Sequence, residues 1–229
     1  MEHNIIEGAF SYTKEGLLGD FTKWVLLVVL AVVQGITFCI VPLLNGYFVR
    51  VFSGADPLPE INEWGKLFID GWKYNIIVLL YMIPVIVIAV VFGLFAILPG
   101  IMALATDGSK AGMLGITGII SGLLITFVVL VIISLFLIMG LVRFGKTNKI
   151  GEAFNFGALN QQVSNGVGWL GYIGYIILLW IFALIFMAIL VAINFMPFIG
   201  LIISIFLLPA WYVFTAKYMT NIYDTGESA

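Results

Sequence analysis

The side chains best placed to do chemistry crowd into residues 50–73. Arg50 is followed by Glu60, Glu63, Lys66, Asp70 and Lys73, interleaved with Trp64 and Trp72. Carboxylates beside bases at the level of lipid headgroups could support acid–base chemistry. The rest of the chain offers little. The only histidine, His3, sits in the terminal tail, and the only cysteine, Cys39, lies inside an apolar run and reads as a small membrane-facing hydrophobe. No cluster has metal-ligand spacing, and no Gly-rich phosphate loop opens a helix in the right context. No catalytic residue, cofactor or metal is therefore expected. Thr117, Ser121, Thr126, Ser134, Asn194 and Ser204 lack a base partner and are expected to hydrogen-bond between helices.

The elements that carry these residues belong to a membrane. Of 229 residues, 62% are apolar and 10% charged, against roughly 45–50% and 25% in a soluble domain. The net charge of -2 leaves no basic patch of nucleic-acid size, so that partner class is excluded. Charges fall in islands at 1–23, 50–73, 107–110, 143–152 and 217–229. The N-terminal island mixes acids with bases and does not resemble a cleavable signal, so it is expected to be retained. Between the islands lie uncharged runs, and a bilayer core needs about 20 helical residues. The expectation is an all-α fold: a polytopic transmembrane bundle of about five spans, near 24–49, 75–99, 112–142, 169–194 and 198–217. Asn194 to Gly200 supplies the break between the last two. The whole chain, 1–229, reads as one integral membrane domain of the cell membrane.

Residues 59–74 read as an amphipathic helix lying flat in the headgroup region, with Pro59 in its first turn. Ile61, Trp64, Leu67, Phe68 and Trp72 form its apolar face; Asn62, Glu63, Lys66, Asp70 and Lys73 form its wet face. Trp64, Gly65, Asp70, Gly71, Trp72 and Lys73 are the candidate docking or anchor residues. Gly65 and Gly71 are costly in a helix and imply close packing. Residues 149–163 and Phe10–Trp24 read as weaker interfacial helices.

Three apolar runs end on a base: Arg50, Arg143 and Lys217. These basic exits suggest weak repeats at 1–52, 57–145 and 148–219. Gly112, Gly115, Gly118 and Gly122 form one helical stripe suited to close helix packing. Five tryptophans fall near span boundaries, whereas Trp180 falls mid-span and is expected to pack against other helices.

Residues 24–49 are ambiguous. A single crossing puts seven bases on one face and three on the other, whereas a re-entrant hairpin (six half-elements in all) gives nine against one. Positive charge marks the cytoplasmic face and favours the hairpin. Length favours one crossing, and so does the need to cover a hairpin's turn with protein. The reading leans toward one crossing.

The stretch Gly46-Tyr-Phe-Val-Arg-Val, with Leu58-Pro-Glu-Ile-Asn-Glu-Trp-Gly-Lys-Leu-Phe-Ile-Asp-Gly-Trp-Lys, resembles a family of multi-spanning proteins catalogued as domain of unknown function 4013. The resemblance implies the architecture and an archaeal source, with some bacterial members. More loosely, the alternation of surface helices and spans is similar to the membrane domain of some glycerophosphodiester phosphodiesterases; no catalytic domain accompanies it here. No ionisable side chain falls inside the expected spans, which argues against proton-coupled transport. The sequence favours a non-enzymatic accessory, scaffold or assembly component acting through cytoplasmic-face interfacial helices. The alternative is a passive channel or carrier for lipid or another apolar molecule. The expected partners are membrane lipids, with a protein partner or a second copy of the chain.

Overall fold

Apolar runs in lipid find no water for their amides, so each folds into a helix that pairs its own backbone. The computed structural model describes residues 2–103, 108–196 and 198–227, with side chains described over 5–94, 117–196 and 198–227. Among the described residues the order is α1 (Glu2–Leu18), α2 (Phe21–Ile36), α3 (Leu43–Phe52), α4 (Trp64–Ala103), α5 (Gly108–Thr147), a 3-10 turn (Ile150–Phe154), α6 (Phe156–Asn165), α7 (Gly168–Asn194) and α8 (Ile199–Asp224), with no strand. Four stretches are long and apolar enough to cross a membrane: Trp64–Leu94, Thr117–Thr147, Gly168–Asn194 and Ile199–Asp224. The chain is a multi-pass helical membrane protein.

It divides into two compact units, Met1–Asn75 with Ile138–Ala229, and Ile76–Leu137. The division cuts through α4 and α5.

In the first unit, α1 and α2 meet at 100°. Asp20 caps α2 by accepting from the Lys23 amide at 3.0 Å. α2 ends at Ile36, and the chain turns through Phe38 (φ 49°) and Cys39 (φ 62°) into α3. The two helices form a hairpin. Lys23, near the start of α2, donates to the Leu58 carbonyl at 3.1 Å and to Glu60 at 2.8 Å. Arg50, near the end of α3, donates to the Glu60 carbonyl at 2.9 Å and to the Asn62 carbonyl at 2.8 Å. Both ends of 24–49 therefore reach the same loop, and the single crossing gives way to a re-entrant pair.

The turn is not covered, since Phe38, Cys39 and Ile40 are exposed; its polar groups are tied by side-chain amides instead. Asn75 of α4 donates to the Cys39 carbonyl at 3.2 Å and accepts from Asn45 at 2.7 Å. Gln34 and Asn45 exchange two further hydrogen bonds, at 3.0 and 3.1 Å. Three amides thus clasp the turn.

α3 sits at the centre of this unit; Tyr47, Phe48, Val49, Val51 and Phe52 are all buried. Close approach explains two glycines here. A Cβ on Gly46 would collide with the Leu67 carbonyl of α4, and one on Gly71 would collide with the Pro42 carbonyl. The Asn194–Gly200 break appears as the short turn between α7 and α8, where Asn194 donates across to Ser204 at 2.7 Å. Ser121 and Ser134 instead bond carbonyls of their own helix.

The second unit is a helix pair cut from α4 and α5. Gly122 packs against Phe92, whose Cβ would lie 2.7 Å from an added methyl. A gap of about 150 Å³ remains beside it, lined by Ala89, Gly93, Gly118 and Thr126 among others. The side-chain surroundings of Gly112 and Gly115 lie outside the described residues.

Candidate functional site

The expected flat helix over 59–74 is not a separate element. Residues 59–63 are non-helical, and Trp64–Lys73 form the first turns of the 40-residue α4. Its wet face is kept in part: Asn62, Glu63 and Lys66 are exposed, while Asp70 is buried. Leu67, Asp70 and Gly71 are buried, whereas Trp64, Phe68 and Trp72 are exposed. Trp64, Phe68 and Trp72 are free to face lipid, whereas Asp70 turns toward a protein partner. Asp70, 4% exposed, pairs with Lys73 at 2.8 Å, and Lys73 also donates to Asn148 at 3.2 Å. Gly71 makes the tight contact described above, but a Cβ on Gly65 would meet nothing within 4 Å. Close packing therefore accounts for Gly71 and not for Gly65.

The three basic exits end on ties that close loops. Arg50 grips residues 60–62 with both Nη atoms, adding Asn62 Oδ1 at 2.8 Å and lying 3.6 Å from Glu63. Such a fork geometry is what guanidinium offers and ammonium does not. Arg143 binds Glu152 through Nε at 2.8 Å and donates from Nη1 to the Tyr223 hydroxyl at 3.1 Å. Those hydrogen bonds hold the Glu152 carboxyl below the ordinary glutamate range. Lys217 lies 4.3 Å over the Tyr12 ring and 3.7 Å from Asp56. Lys146 adds a fourth tie, reaching Asp224 at 2.7 Å and Glu227 at 3.0 Å. Tyr12 and Tyr47 donate their hydroxyls to the carbonyls of Ala55 and Pro59, at 2.9 and 2.8 Å.

These ties join α1, the 53–63 loop and the polar ends of α4, α5 and α8 into one polar end of the first unit. Nine of the ten Lys and Arg residues belong to this unit; Lys110 is the exception. Sequence reasoning missed its most buried base, Lys23, which is 8% exposed and looked like an ordinary helix-start lysine. It also missed the Gln34–Asn45–Asn75 clasp, for which isolated amides inside apolar runs were the available signal.

Chemically, the arrangement neutralises itself. Glu60 is taken by Lys23, Asp70 by Lys73 and Glu152 by Arg143. Among the described residues no group of three or more His, Cys, Asp or Glu could hold a metal ion.

Two cavities flank α1, each inside the first unit. One, of about 550 Å³, is polar and contains Ser11, Glu15, Asp56, Lys217 and Asn221. The other, of about 500 Å³, is apolar and walled by Phe10, Trp24, Phe182, Phe186 and Trp211, with Lys14 also on its lining.

No curated protein and no solved structure matches the chain, so the looser likeness to phosphodiesterase membrane domains finds no counterpart. One family model does match, over residues 29–195, nearly three quarters of the chain. Its span takes in the second half of α2, all of α3, the amide clasp and the Trp64–Lys73 turns. The chain belongs to that family, described as Protein of unknown function (DUF4013).

Proposed function

We propose that the chain is a non-enzymatic membrane scaffold whose polar end, on the cytoplasmic face, docks a protein partner. The observation that carries this reading is the consumption of the acids and bases most suited to catalysis in ion pairs and loop ties. A general acid or base must reach a substrate proton, whereas a carboxylate locked to a lysine braces its own fold. A rigid, self-neutralised end suits a platform. Nine of the ten bases lie in the unit that forms this end, which fits the cytoplasmic assignment.

Two measurements test it. Mild-detergent purification from native membranes, followed by mass spectrometry, should recover one stoichiometric protein partner. Lys66→Glu combined with Lys149→Glu, both exposed, should release it; a chain that always emerges alone sinks the scaffold. In a Cys39→Ser background, Lys14→Cys and Lys149→Cys should each label from the cytoplasmic side, and labelling only from outside would reverse the orientation.

The apolar cavity favours a second reading, a passive carrier for lipid or another apolar molecule. Proteoliposomes that move labelled lipid no faster than protein-free vesicles would remove it.

A further inference from the structure

We propose that the apolar cavity between α1, α2, α7 and α8 is a binding site for one anionic phospholipid. An acyl chain fills the cavity, and the Lys14 ammonium meets the phosphate. The walls decide the first half. The cavity holds about 500 Å³, inside the range of roughly 300–1,000 Å³ typical of ligand sites. Its polar groups are already spent. Thr13 donates its hydroxyl to the Ala9 carbonyl at 2.8 Å, and Trp24 donates its indole N–H to the Phe206 carbonyl at 2.9 Å. Phe186 and Trp211 stack at 4.8 Å, so this side is a flat hydrocarbon wall. Water needs two to four polar partners to stay, and none is offered. An apolar occupant follows.

Lys14 decides the second half. It is exposed, it lines the cavity, and its ammonium has no ion pair or hydrogen bond among the described residues. In that unit Lys23, Arg50, Lys66, Lys73, Arg143, Lys146 and Lys217 all have an acidic partner. Lys149 alone shares the unpaired state, and it does not line this cavity. The fold thus leaves one cation over beside a hydrocarbon slot. Charge complementarity selects an amphiphile with an anionic head. α1 lies at 100° to α2, as a helix in the headgroup plane would if α2 enters the bilayer, which is the depth of a phospholipid phosphate.

The site stands apart from the scaffold reading, since a lipid held here needs no protein partner. The test is native mass spectrometry of the full chain in mild detergent, titrated with a phosphatidylglycerol and a phosphatidylcholine of identical acyl chains. One phosphatidylglycerol should be retained, preferred by roughly fivefold, the effect of one lysine near an anionic headgroup. Lys14→Gln should abolish the preference while a single lipid still binds. Ala210→Trp, which fills the slot, should lose both lipids. Equal retention of the two lipids by the unaltered chain overturns the proposal, as does an undiminished preference in Lys14→Gln. Retention of a lipid by a monodisperse Ala210→Trp overturns it too. If Ala210→Trp does not fold, Lys14→Gln, at an exposed position, still decides the matter.

Discussion

The two units of this chain solve the same problem with different forces. In the first, helices are held by polar ties: three amides at the hairpin turn, a buried Asp70–Lys73 pair, and arginines gripping loops. Backbones there approach so closely that Gly46 and Gly71 leave no room for a methyl. In the second, no residue whose side chain is described is charged, and the closest approach is Gly122 against Phe92, with a gap beside it. Among the described residues, Ile77, Tyr81 and Gly122 are the ones buried there, while the first unit carries nearly the whole core. Lipid tails are as apolar as leucine, so hydrophobicity cannot decide which helices meet. Small residues and hydrogen bonds must decide it, and they are distributed unevenly.

That contrast can be broken by mutation. Gly46→Leu or Gly71→Leu should be the most damaging change. Each drives a side chain into a fixed carbonyl, at or beyond the upper end of the roughly 1–3 kcal/mol typical of overpacking. Loss of a monodisperse peak in size-exclusion chromatography is expected; a folded Gly71→Leu would mean that α3 and α4 do not touch. Gly122→Leu should cost less, about 1–2 kcal/mol, because Phe92 is a side chain that can move into the adjoining gap. A Tm drop as large as that of Gly46→Leu would erase the distinction between the units. Asn45→Leu should cost about 1 kcal/mol, in line with polar contacts between membrane helices. The Tm should fall accordingly, and an unchanged Tm would refute the clasp.

The Arg143–Glu152 tie sharpens the comparison with pH. The Glu152 carboxyl is lowered by its hydrogen bonds to Arg143, so the folded state favours the ionised form. Its contribution is complete above the ordinary value of about 4.3 and disappears as pH falls through the lower folded value. Thermal stability should show no step from this tie between pH 7 and pH 5, then decline below about pH 4. Glu152→Gln should remove that acid-side decline, and an identical acid profile in the variant would dismiss the tie. The smallest effect belongs to Gly65→Leu. With nothing within 4 Å of its Cβ, the change should stay within about 0.5 kcal/mol.

Much of the fold was legible because charge and length leave few options in a bilayer. The uncharged runs predicted the helices, and the Asn-Phe-Met-Pro-Phe-Ile-Gly stretch predicted the α7–α8 turn. The burial of Asp70 was not legible: periodicity put it on the wet face with Glu63 and Lys66, which are exposed. Trp180 was likewise misplaced, expected in a packed interior and found 49% exposed. The hairpin was under-read because its tie comes from Asn75, some 36 residues beyond Cys39. No local pattern announces a partner at that distance. The basic exits were visible as residues, but their acceptors were not: Arg50 holds carbonyls, which every residue carries.

The α2–α3 hairpin also fixes a parity. A chain that dips in and returns contributes no crossing, so with α2 and α3 as such a dip the four long helices set the count, and an even count returns the chain to the leaflet it started from. Asn221 near the end of α8 donates to the Ile5 carbonyl of α1 at 3.1 Å, so α1 and the end of α8 lie on one side of the bilayer. Their pairing is a late event in assembly, because α8 is the last of the four long helices to be made.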